Sequence, residues 1–469
     1  MKSVTFLKSF SGLVLLNVLV KPLWIFGIDR QLQVLVGHEE YGAYFSIMNM
    51  AIILSFLADA GITNMLNRQL AMQEPLHLGR LLQFKMVLVG LYCGIVVAVA
   101  AASGITRWDI VWLVCGVQAG SSFLLFFRNI LTGHQYFTTD AWMSVLDKLL
   151  MILAAAPFLY PLFGPVHISL PFFLSLQVAS LSVTLVLAYV LSRKFIKAEG
   201  LYPPALKEII RLTLPFSVLV LTMSVHSRLD AFLLERVHPN GAYEAGVYAT
   251  AYRLLDAGNT VGFLAASFLL PYVSRHRAQE ALVRETMLKL RHLLLLASIS
   301  LLAFVAVYAG WVTDLLYGIN DPYHSRVLLV TIAVLPAYYV IHIYGSLLTA
   351  RGLFQPFIVI VVISTLVNMT LNGLLIPVWG ALACGTAALV SQYFCALACG
   401  VVAGRAWNTP LQVRDAVLYA GTGALLLALF YGGYRLGANT FLTLLVGSIL
   451  TALIMFVPIN WRKKSFSAL

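Results

Sequence analysis

Four cations, Lys21, Lys148, Arg228 and Arg253, fall inside apolar segments long enough to cross a bilayer. A cation at bilayer depth costs about 2.5–3.5 kcal/mol on insertion scales, so it normally faces a water-filled cavity or a partner group. Fixed positive charge in a membrane interior suits an anion, and arginine's planar fork matches the oxygens of a phosphate. Arg253 and Asp256 are three residues apart and share a helix face with Ala249 and Thr260. Asp256 either holds Arg253 in place when no ligand is present or forms with it a buried pair that satisfies only itself. His226 and Asp230 also share a face, while Arg228 points elsewhere and lies near a helix end, where it lines a cavity or snorkels to the interface. His226 is a candidate proton carrier, since free imidazole titrates near neutrality, or a histidine bonded inside a bundle.

Further chemistry-bearing residues sit on the flanking segments. Asn17 and Lys21 share a face just before Pro22, with Asp29 and Arg30 further on, and the proline should kink this helix. Lys148 follows Asp147 and reads most simply as an interfacial pair with it. Asp59 has no obvious adjacent cation, leaving Asn64, Arg68 or a role in a cytoplasmic gate. Thr365, Asn368 and Asn372 form a polar stripe that either touches sugar hydroxyls or bonds helix to helix, the commoner use in membranes.

The elements that must position these residues are membrane helices. The chain is 60% hydrophobic and 11% charged, with a mean hydropathy of +0.88, against roughly 25% charged residues in soluble domains. Apolar runs of about 20 residues place helices near 10–36, 43–66, 82–102, 108–131, 141–162, 169–191, 209–234, 245–271, 289–312, 326–349, 356–376, 380–403, 414–434 and 440–460. The expected class is an all-α polytopic membrane protein of about fourteen transmembrane helices. The first run lacks a small-residue cleavage site and reads as a retained helix.

The net charge of +12 does not indicate nucleic acid, because the basic residues punctuate the ends of apolar runs instead of forming an exposed patch. With an N-terminus in the cytoplasm, the loops and flanking helix ends of one side collect most of the lysines and arginines, Lys85, Arg128 and Arg291 among them, and the other side only Arg30, Arg107, Arg236, Arg326 and Arg435. That asymmetry favours an even number of spans with both termini cytoplasmic. The loops are too short for an extramembrane domain. No Gly-rich phosphate loop with lysine, HExxH pair or serine elbow is present, so no catalytic residue, metal site or cofactor is assigned. Coupling to H+, Na+ or membrane potential stays open. Cys93, Cys115, Cys384, Cys395 and Cys399 all lie in apolar runs and read as inert thiols.

The chain repeats itself. EYGAYFSIMNMAIILSFLADAG from Glu40 is echoed by EAGVYATAYRLLDAGN from Glu244, each with an acid, a glycine and a tyrosine at matching spacing. RNILTGHQYF from Arg128 is echoed by GSLLTARGLF from Gly345. Each half then holds six helices, 1–200 and 201–410, with 411–469 adding two more, and six per repeat implies an axis along the membrane normal.

These segments, with the run LLTARGLFQPFIVIVVISTLVNMTLNGLLIPVWGALACGTA, resemble the polysaccharide-biosynthesis flippases of the MOP superfamily, which move O-antigen or exopolysaccharide repeat units. Lipid II flippases and MATE multidrug transporters are relatives. The resemblance implies two six-helix lobes around a cationic cavity and a substrate of undecaprenyl-diphosphate-linked oligosaccharide, flipped from the cytoplasmic to the outer leaflet of a bacterial inner membrane. It implies the bilayer and polysaccharide-assembly proteins as surroundings. Lys21, Arg30 and Arg253, with Arg228, become the expected headgroup cations, and Asp256, Asp59, His226, Asp230, Asn368 and Asn372 the supporting or coupling candidates. Family members often carry arginine where this chain has Lys21, which keeps the charge and loses the fork. The alternatives are a lipid II flippase and a cation-coupled MATE-type exporter, which needs acidic cavity residues where basic ones predominate here.

Overall fold

The computed structural model describes residues 17, 19–63, 66, 70, 77–134, 136–160, 168–197, 206–276, 278–407 and 413–466. Every regular element among them is helical. A π-helical stretch, Leu23–Asp29, precedes α1 (Arg30–Leu54) and the short α2 (Phe56–Asp59), followed by α3 (Leu78–Ala102), α4 (Trp108–Gly133), α5 (Phe137–Leu159), α6 (Leu170–Lys197) and α7 (Leu206–Val237). Then come α8 (Gly241–Arg275), α9 (Glu280–Tyr317), α10 (Pro322–Ile332), α11 (Leu335–Ala350), α12 (Phe354–Trp379), α13 (Ala381–Ala406), α14 (Val413–Arg435) and α15 (Thr440–Phe466).

Twelve helices among the described residues are long and apolar enough to cross a membrane, and Thr440–Met455 is a shorter apolar one. The first candidate, Leu19–Asp59, is 41 residues long, about 60 Å of helix and twice the hydrocarbon thickness. It is divided at Gly37, whose φ of 80° and ψ of 170° lie in a region open essentially to glycine alone. Across that break the Tyr41 hydroxyl donates to Asp29 Oδ2 at 2.8 Å, whereas twelve residues of straight helix would separate the two by roughly 18 Å. The chain therefore turns back at Gly37, and the first two spans expected from sequence are both present. Where Pro22 was expected to kink the first of them, the helix widens into the π-helical stretch, since proline has no N–H to give the ladder.

The chain forms two compact units, Met1–Gly246 and Val247–Leu469. The surface has the inverse character of a soluble protein: Val87, Leu153, Leu374 and Val378 are 67%, 72%, 69% and 76% exposed, as lipid-facing positions must be. In the first unit α3, α4, α5 and α6 enclose a core that includes Leu81, Phe126, Phe127, Ile130 and Met143. In the second, α10 opens on Asp321, which accepts from the His324 backbone N–H at 3.3 Å with Pro322 in the first turn.

The contacts also sort the chain connections by end. Arg236 donates to the Ser103 carbonyl at 2.8 Å, and Arg107 lies 3.6 Å from Glu40. The break at Gly37, the α3–α4 turn and the α7–α8 turn thus meet at one end of the first unit, as an alternation of spans requires. Arg128 and Asp140, flanking the α4–α5 turn, lie at the other.

Candidate functional site

In the first unit the interior charge gathers around Lys21. Asn17 Nδ2 donates to Ser144 Oγ at 2.9 Å, pinning the start of the first span against α5. Half-buried Lys21 follows one turn later, and the charged groups acting on it are Arg128, Lys148 and Asp147. Arg128 gives both arms of its fork to Asp140, Nε to Oδ1 at 2.7 Å and Nη2 to Oδ2 at 3.3 Å. Lys148 lies 3.1 Å from Asp147 and 5.0 Å from the centre of the Trp24 ring. The expected Lys148–Asp147 pair is present, and it faces Lys21. Three cations stand against two carboxylates, a formal excess of one positive charge, and among the described residues no carboxylate bonds to Lys21 itself.

The other expected first-unit residues are separate from this cluster. Arg30 donates to Gln31 Oε1 at 3.2 Å, and its Nε is buried with no hydrogen-bond partner among the described residues. His226 and Asp230 are buried one helical turn apart on α7, and Arg228 between them is half-buried. Asp59 corrects the sequence reading, for it has a cation. Lys85 Nζ lies 2.9 Å from Asp59 Oδ1 and 3.1 Å from the Ala58 carbonyl, while the Thr63 hydroxyl donates to Oδ1 at 2.6 Å. Lys85 closes the C-terminus of α2, where free carbonyls and the helix dipole favour positive charge. Asn64 and Arg68, the partners considered from sequence, lie outside the described residues.

In the second unit Arg253 and Asp256 are both half-buried one turn apart on α8. The next turn carries a pair that the sequence reading did not single out. Asn259 Oδ1 and His342 Nε2 of α11 are 2.8 Å apart, and the Tyr339 hydroxyl donates to the Gly258 carbonyl at 2.8 Å. Asn368 and Asn372 have no exposed surface. Asn372 Nδ2 donates to Asn368 Oδ1 at 3.0 Å, and Asn368 Nδ2 to Ser391 Oγ of α13 at 3.4 Å. The Asn368–Ser391 bond joins α12 to α13, the interhelical use of the stripe.

Two deeply buried cations were read from sequence as belonging to the loop side. One is Lys85; the other is Arg291, which is 1% exposed and bonded to Asp415 of α14 and to the Tyr344 hydroxyl of α11. The readable signal is helix length: α9 begins at Glu280, so Arg291 lies three turns inside it. Four of the five cysteines are buried, Cys93 is half-buried, and all are free.

Comparison with solved structures places the fold. The lipid II flippase MurJ in an inward closed conformation is similar at a TM-score of 0.66 and 13% identity, over 96% of this chain and 99% of that one. An inward-facing MATE multidrug resistance transporter of the MOP superfamily gives 0.59 at 15% identity, over 84% and 94% of the two chains. A Pyrococcus furiosus MOP superfamily transporter, described as having a binding pocket of reverse polarity, gives 0.60 at 13% identity, over 86% and 96%. No curated protein sequence matches the chain. At these identities the likeness is one of fold, that of MOP transporters. Family follows from the sequence itself: residues 7–277, more than half of the chain, match the polysaccharide biosynthesis protein family, and this multi-pass membrane protein belongs to it.

Proposed function

We propose that the protein is a flippase that carries a polyprenyl-diphosphate-linked oligosaccharide from the cytoplasmic to the outer leaflet of a bacterial inner membrane by alternating access. The observation that carries the reading is the excess positive charge around Lys21 inside a chain of this family. The three cations have different parts. Arg128 has its fork engaged by Asp140 and Lys148 is engaged by Asp147 and Trp24, so both supply field. Lys21 has rotatable ammonium donors to give a diphosphate oxygen. On the orientation argued from sequence, the cluster lies toward the cytoplasmic side, where the headgroup loads. Arg30, Arg228 and Arg253 are proposed as further cations along the route, with Asp256 restraining Arg253. The lobes at 1–200 and 201–410 are proposed to rock, the lipid tail staying in the bilayer along 411–469.

The test uses purified protein in vesicles holding a fluorescent undecaprenyl-diphosphate oligosaccharide, scored for leaflet exchange and for efflux of a cationic dye. Exchange without dye movement is expected. Lys21→Ala should slow it about tenfold or more, the worth of one charge-assisted contact of at least ~1.5 kcal/mol. Dye efflux without lipid exchange would replace the reading with a multidrug exporter, and unchanged exchange in Lys21→Ala would remove the cluster from the mechanism.

A further inference from the structure

Near its end α6 carries two adjacent cations, Arg193 and Lys194, both exposed. The helix has 28 residues, roughly 42 Å at 1.5 Å per residue, against a hydrocarbon core of about 30 Å. Its last turns therefore stand in the headgroup layer, beside the α4–α5 turn. On the orientation argued from sequence, that layer is the cytoplasmic one.

Lys194 is held in place by aromatic groups. Its Nζ donates to the Tyr136 hydroxyl at 3.1 Å and lies 4.4 Å from the centre of the Tyr136 ring and 4.7 Å from that of Phe195. The rings brace one another: His134 stacks on Phe195 with centroids 3.9 Å apart, and Tyr136 meets Phe195 edge-on at 5.5 Å. His134 is fixed in turn by Nδ1, 2.8 Å from the Ile130 carbonyl. A lysine at an interface normally keeps its rotamers, and here that freedom is already given up before any ligand arrives. Other exposed cations have acidic partners, Arg107 with Asp109, Lys289 with Glu285 and Arg351 with Glu280. Among the described residues no carboxylate pairs with Arg193 or Lys194.

The donors left over define the ligand. An ammonium carries three N–H groups and a phenol one O–H. Lys194 uses one N–H on the Tyr136 oxygen, which leaves two N–H groups and the phenolic proton around one exposed point. Two positive charges with converging donors suit the free oxygens of a phosphate diester. On the side toward the hydrocarbon the same helix face is apolar: Val183, Val186 and Val190 are 58%, 62% and 42% exposed. Their spacing of three and four residues continues to Arg193 and Lys194, so one stripe joins the cations to acyl-chain depth.

We infer that this corner of the first unit binds an anionic phospholipid, its phosphate on Lys194, Arg193 and the Tyr136 hydroxyl and an acyl chain along the valines. A zwitterionic headgroup would bring its own cation against two uncompensated ones, which excludes it as the preferred occupant. The inference stands apart from the transport reading, and its test involves no transport.

The protein in detergent is titrated with phosphatidylglycerol in mixed micelles while its melting temperature is followed by intrinsic fluorescence, with phosphatidylcholine as the comparison. The anionic lipid should stabilise the parent saturably and the zwitterionic one should not. Arg193→Gln with Lys194→Gln should raise the titration midpoint at least about tenfold, since each cation near the surface is worth roughly fivefold. Tyr136→Phe retains the ring and loses only the O–H, and should raise the midpoint about two- to tenfold. Arg405→Gln, exposed at the end of α13, should leave it unchanged. A midpoint unmoved in the double variant would overturn the inference. An equal shift in Arg405→Gln would replace the site with diffuse attraction to a basic surface, and equal stabilisation by phosphatidylcholine would replace it with apolar coating. Inorganic phosphate giving the full effect without lipid would make it a free-anion site. Should the double variant not be recovered folded, Tyr136→Phe and Arg193→Gln decide by the same criterion.

Discussion

Removing Asp59 should harm the protein more than removing its partner Lys85, although both changes delete the same ion pair. Lys85 has no exposed side-chain surface, and Asp59 retains 25%. In Asp59→Ala the ammonium keeps, among the described residues, the Ala58 carbonyl at 3.1 Å and the face of the Phe126 ring 6.0 Å away, and a cation left in protein without its counter-charge costs about 3–5 kcal/mol. In Lys85→Met the carboxylate keeps the Thr63 hydroxyl at 2.6 Å and its backbone N–H at 3.3 Å, with water at hand; the cost falls to about 1–3 kcal/mol. Replacing both, Lys85→Met with Asp59→Leu, removes two desolvated charges for apolar groups and should return stability to within about 1 kcal/mol of the parent. For a unit of this size, about 2–4 °C per kcal/mol converts these to melting-temperature drops of roughly 6–20 °C for Asp59→Ala and 2–12 °C for Lys85→Met. Intrinsic fluorescence during heating in detergent reads all three. Lys85→Met as damaging as Asp59→Ala, or a double variant no better than Asp59→Ala, would refute the reasoning.

Gly37→Ala should cost about 1–3 kcal/mol because its backbone conformation excludes a side chain, while Gly90→Ala in α3, where a Cβ meets nothing within 4 Å, should be neutral or stabilising by up to ~1 kcal/mol; equal melts for the two would count against the turn at Gly37. Asn368→Leu should lower the melting temperature through a lost buried bond of about 1–3 kcal/mol and leave the concentration dependence of lipid exchange unchanged; a shift in that dependence at full stability would mean that the asparagine touches substrate. Asp321 bonds to His324, which holds its carboxyl below the usual range. The stability it adds is complete above the ordinary carboxylate pKa and is lost as pH falls through the depressed one. The melting-temperature gap between parent and Asp321→Asn should therefore narrow with acidification, and a gap independent of pH would show that the charge contributes nothing.

Periodicity and hydropathy are local, so the spans and the break between the first two were legible in the sequence. What was not legible is which helix faces which. Asp59 and Lys85 are 26 residues apart, Asn259 and His342 are 83 apart, and Arg291 and Asp415 are 124 apart; no spacing rule links them until α2, α8 and α9 have neighbours. Lys21 was legible as a buried cation, but its companion Arg128 read as a helix-end charge, because only the fold brings the end of α4 beside the first span. The asparagine stripe had the right composition for either of two uses, and its bond to Ser391 on another helix was not legible from spacing.

Arg291 has a consequence for how the chain is made. Its partners arrive later: the Tyr344 hydroxyl is 53 residues further along and Asp415 is 124. At about 5–20 residues per second, the ribosome has passed Arg291 for roughly 6–25 s before the carboxylate is synthesised. During that interval the nascent α9 carries a guanidinium that its finished surroundings would bury, with Tyr344 the first of the two to relieve it. A chain truncated before α14 keeps Tyr344 but lacks the carboxylate that neutralises that charge, so α14, whatever it does in transport, also supplies the counter-charge of the second unit's most deeply buried arginine.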